Sequence, residues 1–193
     1  MPAKKSKKVA REPRADAARN YQLLLNVAKQ AFHENGANVR LEEIARNAGV
    51  GIGTLYRHFP TREALVQEVY RVETEQLVAE AAKLAKRHGP PEALRRWLHR
   101  FVDHLASQRL LAETLHVRHG DGDLIVQTSG VLMGQAVTML VQRAVEPGEM
   151  TLAPDPSDLL RALVGVATIY PDAKWVVNAK RLANVMVAGM HAS

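Results

Sequence analysis

The sequence reads Gly51-Ile52-Gly53-Thr54-Leu55-Tyr56-Arg57-His58-Phe59 directly after a short helical segment and a glycine-containing turn. The preceding segment, about 41–48, carries its apolar residues on one helical face, and 49–51 form the turn. Gly49 can adopt the left-handed conformation that ends a helix. Two short helices joined by such a turn predict a helix-turn-helix.

The second short helix has two unlike faces when its residues are placed about 100° apart. The apolar residues fall within an arc of about 60°, which we expect to dock on the rest of the domain: Ile52, Leu55 and Phe59. The other side carries a hydroxyl, a guanidinium and an imidazole, with a glycine nearby: Thr54, Arg57, His58 and Gly53. Such groups hydrogen-bond phosphates and base edges in the major groove. Taken alone, the hairpin is also compatible with a domain that binds nothing.

The positive charge is concentrated in the first third of the chain. Residues 1–62 hold 12 Lys or Arg and 5 Asp or Glu, whereas residues 63–193 hold 14 and 15. A basic end on an otherwise neutral chain favours a polyanionic partner, either nucleic acid or an anionic membrane surface. A solvated basic tail without a partner explains the charge equally well. Residues 1–14 are charged and proline-containing, which predicts a disordered arm in the free protein.

Composition points to a helical protein of the cytoplasm. Only nine of 193 residues are aromatic, so Leu, Val, Ala and Met must fill the core, and Ala and Leu favour helices. The absence of cysteine excludes disulfides, thiolate metal sites and cysteine nucleophiles. No apolar run approaches a membrane span of roughly 18 residues, and no secretory signal is present. We expect a cytoplasmic protein that does not enter a membrane.

Hydrophobic periodicity predicts an all-α fold of about nine helices. A helix over about 15–35 precedes the two short helices, the second of which ends at about 59, and a long helix covers about 62–87. Five further helices are expected at about 92–107, 110–118, 125–145, 156–169 and 173–190, with a Gly/Asp-rich break at 120–123. No segment alternates convincingly with period two.

Three consecutive helices resemble the TetR family of bacterial one-component regulators over about residues 16–70. The likeness is carried by the stretches 41–50 and 53–59 and by Thr61-Arg62-Glu63-Ala64-Leu65. It implies a helix-turn-helix DNA-binding domain over 15–61. It also implies a regulatory domain over 62–193 that binds an effector and dimerises through the last two helices, about 156–169 and 173–190.

The resemblance assigns DNA contacts to residues of the recognition helix and to the start of the next helix. The positions are Gly53, Thr54, Tyr56, Arg57, His58 and Arg62. The positive N-terminus of the long helix adds to the attraction for phosphate at Arg62. The family often has a hydroxyl residue where this chain has Arg40-Leu41 and another where it has Gly51. We therefore expect Arg40 to make a longer-reaching phosphate contact.

The arm lies outside the shared motif and contributes six positive residues: Lys4, Lys5, Lys7, Lys8, Arg11 and Arg14. Basic arms of other DNA-binding domains follow the backbone or enter the adjacent minor groove. We expect the same of this arm.

The middle helices carry candidates for a mostly apolar effector pocket with a few polar groups. They are Trp97, Phe101, His104, His116, Met133, Gln135 and Met139. Ordinary core packing is the alternative for each of them. His116 and His119 share a helix face, but Glu113 is the nearest candidate for a third ligand, so no metal site is expected. A small effector is expected, and no cofactor.

These observations predict a ligand-responsive, homodimeric repressor that binds a palindromic operator. The alternative is a nucleoid or membrane-surface protein that uses its basic arm without sequence preference and without effector control. No phosphate loop, nucleophile elbow or His-Glu-x-x-His pattern supports an enzyme.

Overall fold

A computed structural model describes residues 13–36, 39–114, 121–145, 148, 150, 155–169 and 174–190 of the chain. Within these ranges the regular structure is entirely α-helical, which confirms the predicted fold class. There are eight helices in the described ranges: α1 (Pro13–Asn35), α2 (Leu41–Asn47), α3 (Ile52–His58), α4 (Arg62–Arg87), α5 (Pro90–Thr114), α6 (Asp121–Val145), α7 (Pro156–Ile169) and α8 (Trp175–Gly189).

Three predicted helix boundaries differ from the structure. Helix α5 is continuous where two helices were expected, because the chain has no glycine or proline between Gly89-Pro90-Pro91 and Thr114 to end it. Helix α6 starts at Asp121, inside the predicted break, since a single glycine costs a helix only about 1 kcal/mol. Helix α1 starts at Pro13 rather than Ala15, because proline is compatible with the first turn of a helix.

The chain divides into two compact units, Met1–Leu65 and Val66–Ser193. In the first unit, α1 buries one apolar stripe at helical spacing: Leu24, Leu25, Ala28 and Phe32. Helix α2 buries Ile44 and Ala45, and α3 buries Leu55. Because α2 and α3 are only seven residues each, tertiary packing rather than helix propensity must hold them.

In the second unit, α5 packs against α6, α7 and α8, and α7 packs against both α6 and α8. The buried core is built mainly from aliphatic side chains around Trp97, as the low aromatic content predicted. Small residues on α8, Ala179 and Ala183, are fully buried and allow neighbouring helices to approach closely. Two polar contacts join α5 to α8: Lys180 Nζ lies 2.5 Å from Asp103 Oδ1, and His99 Nε2 lies 2.8 Å from Asn184 Oδ1.

Among the helices that the structure describes, none combines the length and the hydropathy needed to cross a bilayer.

Candidate DNA interface

The turn of the helix-turn-helix is closed by backbone hydrogen bonds around one left-handed glycine. Gly49 has φ 69°. Its N–H donates to the carbonyl of Arg46, and the N–H of Val50 donates to the carbonyl of Ala45, each at 3.0 Å. This pair of bonds is the Schellman motif, which satisfies the last carbonyls of a helix. A side chain with a Cβ would be strained at Gly49, so the glycine fixes the direction in which α3 leaves α2.

Helix α3 docks through fewer residues than the sequence predicted. Leu55 is fully buried and Phe59, which follows the helix, is 3% exposed. Ile52 was expected on the docking face, but it is 37% exposed, so that expectation is wrong. A helical wheel gives the direction of a side chain, not whether a neighbouring helix extends far enough along the axis to cover it.

The opposite side of α3 presents polar groups to solvent. Gly53, Tyr56 and Arg57 are exposed, and Thr54 is half-buried. The Arg57 guanidinium donates from Nη2 to Thr54 Oγ1 over 3.1 Å. A guanidinium has five N–H donors in a planar fork, so this contact orients Arg57 and leaves further donors directed outward.

His58, at the end of α3, is positioned by a residue that the sequence motif did not indicate. The Tyr21 ring of α1 lies 6.0 Å from the His58 ring and stacks on Phe59 at 5.5 Å. His58 is accordingly half-buried rather than fully presented to solvent. No local signal marks Tyr21, because its role depends on α1 lying against the C-terminal end of α3.

Neither α2 nor α3 has a side-chain cap at its N-terminus among the described residues. Arg40 and Gly51 occupy the N-cap positions of α2 and α3. Gly51 has φ −71°, so its extra conformational freedom is not used there. The Arg40 side chain is exposed. Because the backbone of Arg40 is extended, its side chain lies at the start of α2. The longer-reaching phosphate contact was predicted at this position.

Arg62, predicted to bind phosphate, makes contacts inside its own unit. Its Nη1 donates to the carbonyl of Val39 at 2.5 Å, and its guanidinium carbon lies 5.6 Å from the centre of the Phe32 ring. The hydroxyl of Thr61 accepts the N–H of Ala64 at 3.1 Å and caps α4. Arg62 therefore joins the start of α4 to α1 and to the residue before Arg40.

Part of the predicted DNA-binding set falls outside the described residues. Lys4, Lys5, Lys7, Lys8 and Arg11 lie there. Arg14 belongs to the first turn of α1, and its side chain is outside the description. The contact of the arm with DNA stays a prediction.

Four of the predicted effector residues are buried in the second unit: Trp97, Phe101, His104 and Met133. Trp97 stacks on Phe101 at 5.9 Å and donates its indole N–H to the carbonyl of Leu77 at 2.9 Å. His104 hydrogen-bonds Gln108 and lies 6.0 Å from the Tyr70 ring.

Gln135 and Met139 do not join these residues. Both are exposed on α6. They lie about 160° and about 120° around the helix from buried Met133. That they line an effector pocket together with Met133 stays a prediction. His116 and His119 lie outside the described residues. No cluster of possible metal ligands occurs among the residues that were described.

Buried polar side chains near His104 were missed by sequence reasoning. Glu73 is 6% exposed, Thr74 2% and Ser107 4%. The Ser107 hydroxyl donates to Glu73 Oε2 at 2.8 Å. Helical spacing from Leu77 places residues 73 and 74 near the apolar face of α4, and this spacing was the available signal. Polar residues at such positions are usually interpreted as solvent-exposed.

Two family models match separate parts of the chain. Residues 24–69 match the model described as bacterial regulatory proteins, tetR family. Residues 89–192, more than half of the chain, match the model described as transcriptional regulator SbtR-like, C-terminal domain. The first match covers the helix-turn-helix and the start of α4, and the second covers α5 to α8.

Solved structures agree with these matches. A TetR transcriptional regulator from Streptomyces coelicolor is 33% identical, with a TM-score of 0.73 over 90% of this chain and 99% of that one. RolR in complex with resorcinol has a TM-score of 0.58 at 21% identity, covering 92% of this chain and 90% of that one, a likeness of fold alone.

Curated relatives are transcriptional regulators. UidR of Escherichia coli strain K12 is 25% identical over 165 residues, which is 84% of this chain and 75% of that protein. An HTH-type regulator of Staphylococcus aureus strain MRSA252 is 34% identical over 73 residues, 36% of this chain and 38% of that protein. These relatives place the chain among DNA-binding regulators rather than enzymes. From its two family models and its 33% identity to a regulator that it covers almost completely, the chain belongs to the TetR family of bacterial transcriptional regulators.

Proposed function

We propose that this protein is a ligand-responsive repressor that binds a palindromic operator as a homodimer in the cytoplasm. The observation that carries the proposal is the exposed face of α3, where Tyr56 and Arg57 stand beside Gly53 on a helix docked through Leu55. A helix held in this way by its apolar side can enter the major groove and read base edges with its polar side.

Positively charged side chains elsewhere in the first unit supply the sequence-independent part of the affinity. Arg40 is exposed at the start of α2, and Arg19 and Arg46 are exposed on α1 and α2. Contacts between such side chains and phosphates position a protein on the duplex without reading its sequence. We propose that the arm adds to this term.

Exposed apolar residues on the last two helices support dimerisation. Ile169 of α7 is 68% exposed, and Val177 and Val185 of α8 are 60% and 63% exposed. Val177 and Val185 are eight residues apart and lie on one face of α8. The family uses these two helices for dimerisation. An exposed apolar face on them fits an isologous dimer, in which both subunits bury the same face. Two recognition helices would then meet half-sites separated by about 34–36 Å.

The effector is proposed to bind the second unit near Trp97, Phe101 and His104. These side chains combine an aromatic surface with a hydrogen-bonding group, as small-molecule sites do. RolR, whose fold is similar, was solved with resorcinol bound. A ligand with higher affinity for the conformation that does not match the operator would shift the population away from DNA.

The proposal is tested by selecting an operator from a pool of random duplexes and comparing it with a scrambled duplex at about 150 mM salt. A sequence-specific regulator is expected to bind the selected duplex roughly 10³-fold more tightly than the scrambled duplex. Equal affinity for both duplexes would instead support the non-specific nucleoid alternative. Binding to anionic vesicles with no duplex preference would support the membrane-surface alternative.

A further inference from the structure

Helices α4 and α5 meet along a seam, defined here by Tyr70, Glu73, Thr74 and Leu77 of α4 and by Trp97, Phe101, His104 and Ser107 of α5. The four residues of α4 are spaced i, i+3, i+4 and i+7, so they share one side of the helix. The contacts described between the helices along the seam include Trp97 to the carbonyl of Leu77, Tyr70 to His104, and Ser107 to Glu73.

The seam changes in character along its length. At one end Trp97 and Phe101 stack beside Leu77, and all three are buried. Toward the other end the buried residues are polar: Glu73, Thr74, His104 and Ser107. Burying polar groups costs free energy unless they are hydrogen-bonded, and aliphatic residues would pack these helices without that cost. The polar end of the seam is therefore poorly explained by stability alone.

Most polar groups of the seam have hydrogen-bond partners in the described part of the chain, but one hydroxyl has none there. Ser107 donates to Glu73, His104 bonds Gln108, and the Trp97 indole donates to a carbonyl. The Oγ1 of Thr74 is buried and has no hydrogen-bond partner among the residues that the structure describes. A threonine hydroxyl both donates and accepts, so this group has an unused bonding capacity at a fully buried position.

We propose that the seam recognises an uncharged small molecule that carries a hydroxyl group on an aromatic body, with Thr74 as its hydrogen-bonding anchor. The inference rests on effector binding by the second unit, as proposed above. Trp97 and Phe101 match the aromatic body. The ligand is uncharged because the Thr74 hydroxyl, which has no partner in the described structure, is itself neutral. A buried ligand charge would itself require a partner.

The test compares three probes of the same shape on the full-length protein: p-cresol, which has the hydroxyl, toluene, which lacks it, and the anion p-toluate. Affinities are measured by calorimetry for the wild type, for Thr74→Val and for a control, Thr168→Val. Valine keeps the shape of threonine while removing its hydroxyl. The Thr168 hydroxyl bonds the carbonyls of Val164 and Gly165 in its own helix, away from the seam.

The wild type is expected to bind p-cresol on the order of tenfold more tightly than toluene, and p-toluate least well. Thr74→Val should abolish the preference for p-cresol, whereas Thr168→Val should retain it. A preference that survives in Thr74→Val, tighter binding of p-toluate than of p-cresol, or no binding of p-cresol would each overturn the inference.

Failure of this inference differs from failure of the proposed function. If p-cresol binds through Thr74 but leaves operator affinity unchanged, the inference stands and ligand control by this site fails. If an unrelated compound releases the operator while p-cresol does not bind, ligand control stands and the inference fails.

Discussion

At the residue scale, we expect Arg57 to be the side chain that reads a base. It is exposed on α3 and is held by the Thr54 hydroxyl on the preceding turn. We predict that Arg57→Ala lowers discrimination between the selected and scrambled duplexes by about 1–3 kcal/mol, because a base contact is lost. Competition binding on both duplexes measures this difference.

The matched control for that measurement is Arg100→Ala, which removes an exposed arginine from α5 in the second unit. It should leave discrimination unchanged. If Arg57→Ala weakens binding to the two duplexes by the same factor, Arg57 contacts phosphate and does not read sequence.

Arg62 is predicted to contribute mainly to stability. Arg62→Met removes the hydrogen bond to the Val39 carbonyl and the contact with the Phe32 ring. We expect the free energy of unfolding to fall by about 1–2 kcal/mol, measured by urea denaturation. If Arg62 mainly binds phosphate, the substitution should leave stability unchanged and weaken the salt dependence of DNA binding by about one charge.

Thr74 gives a stability prediction of the opposite sign. Without ligand, Thr74→Val should raise the free energy of unfolding by about 1 kcal/mol, because a buried hydroxyl without a partner in the described structure is replaced by a methyl group. Thermal unfolding of the ligand-free protein measures the change. A destabilisation of that size would indicate that the hydroxyl is already satisfied, and would remove the basis for its role as a ligand anchor.

At the element scale, the start of α5 shows how first-turn charge stabilises a helix. Glu92 accepts hydrogen bonds from Arg95 at 2.6 Å and from Arg96. The hydrogen bond from Arg95 is the main cause that lowers the pKa of Glu92 from 4.5 to about 2. The negative charge also lies at the positive end of the helix dipole.

This geometry predicts a pH-dependent effect of Glu92→Gln. A carboxyl whose folded-state pKa is lowered adds stability above its unfolded pKa, and loses it as pH falls from 4.5 toward about 2. Because the Glu92 carboxylate and its two arginines are partly exposed, solvent screens their interaction, and we expect a loss of only about 0.3–1 kcal/mol near pH 7. Urea denaturation should show this difference shrinking as pH is lowered below 4.5. A difference independent of pH would contradict the assignment.

At the scale of the whole molecule, we propose that assembly depends on the exposed apolar residues of α7 and α8. Val185→Glu places a charge on the exposed apolar face of α8, where Val185 is 63% exposed. We predict a shift from dimer to monomer in sedimentation, together with loss of tight operator binding, because a buried unpaired charge destabilises an interface. Folding of the monomer, followed by circular dichroism, should be retained.

Val131→Glu is the control for this assembly test. Val131 is 61% exposed on α6, which is nearly the same exposure as that of Val185. It should leave both the dimer and operator affinity unchanged. If Val131→Glu dissociates the protein while Val185→Glu does not, the interface lies on α6 instead of α8.

The sequence alone determined the fold class, most helix positions and the turn. Helical periodicity depends only on residues that are near one another in sequence. Gly49 marks the turn because glycine readily adopts the left-handed conformation that ends α2. The docking of Leu55 and Phe59 also followed from local spacing, since both are apolar on one side of a short helix. The same spacing predicted that Gly53, Thr54 and Arg57 lie on the other side of α3, where Gly53 and Arg57 are exposed and Thr54 is half-buried.

Only the tertiary structure decided which residues of different helices contact one another and which helix faces are covered. The contact of Tyr21 with His58 and the pairing of Arg62 with Val39 join residues far apart in sequence. The exposure of Ile52 and Gln135, and the burial of Thr74 and Glu73, depend on which neighbour covers each face. Periodicity gives the direction of a side chain relative to its own helix. Whether that direction ends in solvent, in a core or in a polar seam is a property of the packed chain.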